Sequence, residues 1–287
     1  MTPETPSFEL LPPPEMAEKA INIGIRKASG NATNLFLLGV LAGAFIAFGA
    51  IFATIVTAGT KDMLSYGVAR LLAGMAFTLG LILVVISGAE LFTGNNLMTM
   101  AWAKKQISTG SLLRNWGIVY LGNLAGSVAV VGIMFVSGEY AYGSGAIGAN
   151  ILAIGEAKTS LGFVQAIALG ILCNMLVCLA VWMTYSGRSV TDKILAVITP
   201  IACFVAAGFE HSVANMYFIP MALLVKNFAS PEFYATIQKV PSDFPHLTVQ
   251  NFLVANLLPV TIGNIIGGGI FIGLAYWFLY LRNDRPV

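Results

Sequence analysis

The sequence predicts an all-α membrane protein of six transmembrane helices, arranged as an inverted 3+3 repeat with the second and fifth helices broken. Three observations carry this. Charged residues make up only 10% of the chain against 57% apolar ones, and mean hydropathy is +0.82, whereas a soluble domain is about one quarter charged. The charges are segregated: residues 28–60, 115–138, 159–187 and 244–281 carry no Asp, Glu, Lys or Arg, and 71–103 and 194–225 are interrupted only by Glu90 and by Glu210–His211. Each stretch exceeds the roughly 20 residues a spanning helix needs. The two interrupted stretches also share a pattern, Gly-x-Glu followed five residues after the Glu by Asn: Gly88, Glu90 and Asn95, then Gly208, Glu210 and Asn215.

Residues 1–30 precede the spans. Their opening, TPETPSFELLPPPEM, lacks the basic start and apolar core of a secretory signal. Pro14 suits a helix's first turn. Glu18, Lys19, Asn22, Arg26 and Lys27 alternate with Met16, Ala20, Ile21, Ile23 and Ile25, predicting an amphipathic helix on the membrane surface, read equally as a solvated leader. Residues 31–282 form the membrane domain, and 283–287 a short tail. The first span carries LGVLAG (Leu38 to Gly43) and the fourth LGILCN (Leu169 to Asn174). The third and sixth each carry Gly-Asn-x-x-Gly, as Gly122, Asn123, Gly126 and Gly263, Asn264, Gly267. With both termini cytoplasmic, the inner loops hold ten Lys and Arg and the outer loops five, so that orientation is expected.

Three spans per half is an odd number, so the second half must cross in the opposite sense. Gly-interrupted spans at matching positions of an inverted repeat point to a site at the bilayer midplane. Breaking a helix there frees N–H and C=O groups that protein or a cavity must satisfy. Gly88 and Gly208 permit the break. Glu90 and Glu210 are expected to be loop clamps that accept from the freed N–H groups, rather than ion ligands. His211 has no counterpart in the first half, where Leu91 stands. An ionisable group at that depth is a functional candidate, and imidazole is the side chain that changes charge near neutral pH. Burial favours its neutral form and an adjacent anion its charged form. Cys173, Cys178 and Cys203 all fall within spans, at no spacing that makes a metal site or disulfide, and read as small packing residues.

GFEHSVANM (Gly208 to Met216), GAELFTG (Gly88 to Gly94) and LVCLAVWMTYSGRS (Leu176 to Ser189) resemble the formate/nitrite transporter family, from about residue 12 to the C-terminus. FASPEF (Phe228 to Phe233), SGEY (Ser137 to Tyr140) and the stretch His246 to Gly269 resemble its formate-channel branch. The resemblance implies an aquaporin-like protomer in a homopentamer of a bacterial inner membrane, with a pore through each protomer for formate or a similar small anion. It implies that Thr93 faces His211, with Asn174 and Asn215 as polar groups nearby. Lys158, at the outer end of the fourth span, would draw the anion in. Phe77, Leu81 and Phe204 would form the outer constriction, and Leu91, Phe92 and Val177 the cytoplasmic slit. No cofactor or metal is expected.

Two mechanisms stay open: His211 protonates the anion so that neutral acid crosses, or protonated His211 is a counter-charge for an ion that stays charged. The N-terminal helix is expected on the side of the slit, as a cover responding to pH or to a soluble partner. Nitrite and hydrosulfide are the alternative anions. An aquaporin-type neutral-solute channel is less favoured, since Asn95–Asn96 and Asn215 are not followed by Pro-Ala. An ammonium channel would need twin membrane His residues. A hydrolase built on Glu210, His211 and Ser212 fails because helix neighbours project about 100° apart and no Gly-x-Ser-x-Gly elbow is present. No basic patch has nucleic-acid-binding character.

Overall fold

A computed structural model of the chain describes residues 10–60 and 63–282; the tail at 283–287 lies outside the described residues. Helix α1 (Pro13–Ala28) starts on two prolines and buries Met16, Ala17, Ala20, Ile21 and Gly24. Its apolar stripe packs on Met100, Ala101, Trp182 and Leu281. The helix foreseen on the bilayer surface therefore spends its hydrophobic face on the protein. Asn31 then caps α2 (Ala32–Thr57) by accepting from the Thr33 and Asn34 N–H groups.

Six stretches are long and apolar enough to span a bilayer: α2, α3 (Tyr66–Ser87), α5 (Thr109–Val136), α7 (Phe163–Ser186), α8 (Val190–Ala207) and the composite Asn251–Tyr280. After α3 come six non-helical residues, 88–93, a 3-10 segment (Gly94–Met98) and the short α4 (Thr99–Ala103). After α8 the chain resumes as α9 (Ser212–Phe228). The composite span holds two wide π-helical stretches, Asn251–Leu257 and Ile265–Leu274, around α11 (Leu258–Asn264), and ends in α12 (Ala275–Tyr280). Two short helices lie outside the spans, α6 (Ala146–Thr159) and α10 (Pro231–Ile237). Lys158 belongs to α6, not to the fourth span. The missing charges after it made a separate helix read as the span's end.

Glycine lets the spans approach closely in the same way twice. A Cβ on Gly43 or Gly126 would overlap the carbonyl of Asn123 or Val40, joining α2 to α5. A Cβ on Gly263 or Gly267 would overlap that of Ile167 or Ile171, joining α7 to the sixth span. Such small-residue contacts are how helices associate where lipid provides no hydrophobic drive. The surface is correspondingly apolar, with Leu37, Leu41, Phe52, Leu253 and Leu258 exposed, while eight asparagines are buried among the described residues. α1 packs against α12, and Lys104 Nζ donates to Leu281 O, so the described ends of the chain meet on one face.

Candidate functional site

Gly88 follows α3 with φ 72°, and Gly208 follows α8 with φ 78°, the left-handed geometry that terminates helices and that residues with a Cβ seldom adopt. Beyond each, the freed backbone is satisfied in parallel fashion. Glu90 N–H donates to Leu38 O at 3.2 Å and Glu210 N–H to Leu169 O at 3.3 Å. Phe92 N–H donates to Asn123 Oδ1, and Ser212 N–H to Asn264 Oδ1, both at 2.9 Å. Asn123 Nδ2 returns bonds to Gly39 O and Glu90 O, and Asn264 Nδ2 to Gly170 O and Glu210 O. The asparagines of the next span are the backbone clamps.

The carboxylates do something else, which corrects the expected clamp role. Glu90 Oε2 accepts from Lys27 Nζ at 2.8 Å and Asn95 Nδ2 at 2.7 Å. Glu210 Oε1 accepts from Lys158 Nζ at 2.7 Å, and its Oε2 from Asn215 and Asn256 at 2.7 and 3.0 Å. Asn115 Nδ2 then donates to Lys27 O, and Asn256 Nδ2 to Lys158 O. Each buried charge thus has a cation and amide donors, which desolvation demands.

His211 sits where the halves differ. As the cap of α9, its Nδ1 accepts the Ala214 N–H at 3.0 Å. The neutral ring therefore carries its proton on Nε2, which lies 2.9 Å from Thr93 Oγ1 and donates to it. The Thr93 hydroxyl keeps its own hydrogen for a further acceptor. Phe204 stacks beside the imidazole at 5.9 Å between ring centroids, and Phe77 meets Phe204 edge-on at 5.6 Å.

Two cavities flank this pair and share no lining residue. One, about 310 Å³, is lined by Lys19, Lys27, Leu81, Glu90, Leu91 and Lys193 among others. The second, about 480 Å³, is lined by Arg70, Phe77, Lys158, Phe204, Glu210, His211 and Asn215. Arg70 also caps α8, donating to the Val205 and Ala206 carbonyls. Leu91 and His211, the matched positions of the two breaks, face opposite cavities. Thr93 is fully buried between them.

Other expected residues fall differently. Leu81 lines the α1-side cavity with Leu91, one turn along α3 from Phe77. Phe92 lines neither cavity; its ring packs on Trp116 and Tyr120. Val177 is core, 1% exposed. Asn174 touches the Thr93 carbonyl rather than His211. Lys27, Asn115, Asn123, Asn256 and Asn264 were not singled out as site residues. Signals existed: the two Gly-Asn-x-x-Gly motifs contain Asn123 and Asn264, and Lys27 and Lys158 are the last charges before the first span of each half.

The sequence matches the family model described as formate/nitrite transporter over residues 14–278. It is 48% identical over 277 residues to the formate channel FocA of Escherichia coli (strain K12), covering 96% of this chain and 97% of that one. The FocA formate channel of Haemophilus influenzae is 42% identical, with 94% of each chain covered. A solved structure described as a pentameric formate channel with formate bound aligns with a TM-score of 0.83 at 49% identity, covering 88% of this chain and 98% of that one. The chain belongs to the formate/nitrite transporter family.

Proposed function

We propose that this protein is a formate channel that conducts through a path inside each protomer, crossing from one cavity to the other at the Thr93–His211 bond. That bond, at 2.9 Å between two separate cavities, is the observation that carries the reading. The relatives named formate channels and the formate-bound neighbour support the substrate. The pentameric neighbour supports a homopentamer. The matched networks around Glu90 and Glu210 support an inverted repeat with broken second and fifth spans, in the aquaporin manner. We place both termini in the cytoplasm of a bacterium and the protein in its inner membrane, on the Lys and Arg asymmetry. α1, which contributes Lys19 and Lys27 to its cavity, is the element a pH signal or a soluble partner would move.

Formate is ionised at neutral pH, since carboxyl groups titrate near about 4. Between Phe77, Phe204 and Leu91 a bare anion would lose its hydration shell at high cost. Arg70 and Lys158 offset this in the α6-side cavity, Lys158 acting from within its ion pair. At the partition, Ala214 N–H, His211 and Thr93 form a relay of donors whose last hydrogen, on Thr93 Oγ1, is available to a carboxylate oxygen. Proton exchange through His211 requires Nδ1 to take a proton, and that breaks the bond to Ala214 N–H. Protonation is thereby tied to the first turn of α9.

The test is anion flux through the purified protein in liposomes, comparing formate, nitrite and hydrosulfide across pH, with glycerol as a neutral control. Formate is expected to pass fastest and glycerol not at all. Nitrite or hydrosulfide ahead of formate would move the substrate assignment, and glycerol flux would return the neutral-solute reading.

A further inference from the structure

Thr93 is held by its backbone as well as by its hydroxyl. Its carbonyl oxygen lies 3.2 Å from Asn174 Nδ2 and 3.4 Å from Cys178 Sγ. Both donors sit on α7, four residues apart and so stacked on one face of the helix. Asn174 Nδ2 is overcommitted. It lies 2.7 Å from Asn264 O and 2.9 Å from Asn96 Oδ1 as well, and an amide nitrogen has two hydrogens. The two shorter contacts use them, which leaves the Thr93 carbonyl to the Asn96 N–H, at 3.4 Å within its own loop, and, from the facing helix, to the thiol. Cys178 is fully buried, and in such surroundings a hydrogen bond is electrostatically stronger than in water. Gly268 of the sixth span backs both donors: a Cβ there would overlap Asn174 Nδ2 and Cys178 Sγ, so the glycine lets the span close on the thiol and leaves it no room to swing away.

We propose that Cys178 is a positioning residue for transport: its S–H seats the Thr93 carbonyl, and that seat keeps Thr93 Oγ1 within hydrogen-bond distance of His211 Nε2. The inference rests on reading the Thr93–His211 pair as the crossing point of the pore. Cys178 does not touch the anion. It acts through Thr93, and a buried thiol in this role has no redox chemistry to perform.

The test compares Cys178→Ala with Cys178→Ser in liposomes, reading formate flux against pH. Losing one such hydrogen bond is expected to lower flux about two- to tenfold and to displace the pH profile. Serine, which keeps a donor, is expected to restore both. A Cys178→Ala protein with wild-type flux at every pH overturns the proposal, as does a serine variant that rescues nothing. Should the alanine variant fail to assemble, the infrared S–H stretch decides. In a Cys203→Ala protein, which keeps only the two buried thiols, two bands are expected, the lower from Cys178 and the upper from Cys173, which is buried and has no hydrogen bond among the described residues; adding Cys173→Ala removes the upper band and so assigns them. Coincident bands overturn the seat. Thr93→Val serves as the control on the underlying reading. If it also transports normally, the crossing point itself is misassigned; if it fails while Cys178→Ala does not, only the seat is.

Discussion

His211 makes a different hydrogen bond with each ring nitrogen, and this decides what its substitution does. Replacing it with Asn keeps a polar side chain at the α9 cap but removes the group that titrates, so formate flux is expected to lose its dependence on pH between about 5 and 8 while the protein still folds. A variant whose pH profile matched the wild type would remove His211 from the mechanism. Lys158 supplies a second residue-scale prediction. It and Glu210 are both largely buried, 16% and 5% exposed at the side chain. Lys158→Met strands the carboxylate and is expected to cost about 3–5 kcal/mol, with Glu210→Gln in the same chain recovering most of it. Thermal unfolding of the two proteins in detergent measures the difference. Were the single variant as stable as the wild type, the ion pair would be surface decoration. At this scale the sequence was most informative where an ionisable group sat in an apolar run, as at His211. It was least informative at the asparagines, because an amide in a span looks the same whether it clamps a backbone or lines a pore.

The elements that matter are the two breaks and the helix that covers one cavity. Asn123 and Asn264 each satisfy three backbone groups. Gly39 O and Gly170 O lie within α2 and α7 and keep their helical N–H partners, so substituting either Asn with Ala orphans one loop N–H and one loop carbonyl, at about 1–3 kcal/mol for each buried group left unpaired. Asn123→Ala should loosen the Thr93 loop, and Asn264→Ala the start of α9. Hydrogen exchange at Phe92 and Ser212 distinguishes them, and unchanged protection at both would mean that other partners suffice. Helix α1 is docked against its own charge. Lys19 lies below the ordinary lysine pKa of 10.5, first because it is partly buried and then because Lys193, Arg188 and Arg26 repel its charge. A lysine depressed in the docked state binds its proton less tightly there than when released. Docking is therefore penalised at neutral pH and gains as pH rises through the lowered pKa toward 10.5. Lys193→Gln is expected to relieve part of the repulsion and slow amide exchange in α1; faster exchange would contradict this. The breaks were legible from Gly-x-Glu, and their satisfaction was not, since the partners lie one span later. Helix α6 was invisible for a related reason: its apolar residues Ile147, Ile151 and Leu152 read as loop between spans, and what orders it is packing on α9.

The surface of the whole molecule is inverted relative to that of a soluble protein, apolar like the core, with the asparagine amides kept within. That inversion made the fold class legible from composition and charge spacing alone. The two-fold likeness was legible from six short motifs, and the structure extends it to matched hydrogen bonds: Leu38 with Leu169, Gly39 with Gly170, Asn115 with Asn256, Lys27 with Lys158. Leu91 against His211 breaks the likeness in titratable character, and this pair stands at the partition between the cavities. On the proposed reading, a pore with an imidazole at that partition should pass an anion in a manner set by the imidazole and by the hydroxyl it holds. Formate flux into liposomes, recorded from pH 5 to 8 for the wild type, His211→Asn and Thr93→Val side by side, tests this most directly. A pH-dependent flux is expected in the wild type, flattened or abolished in both variants. Three superimposable pH profiles would mean that formate crosses somewhere else.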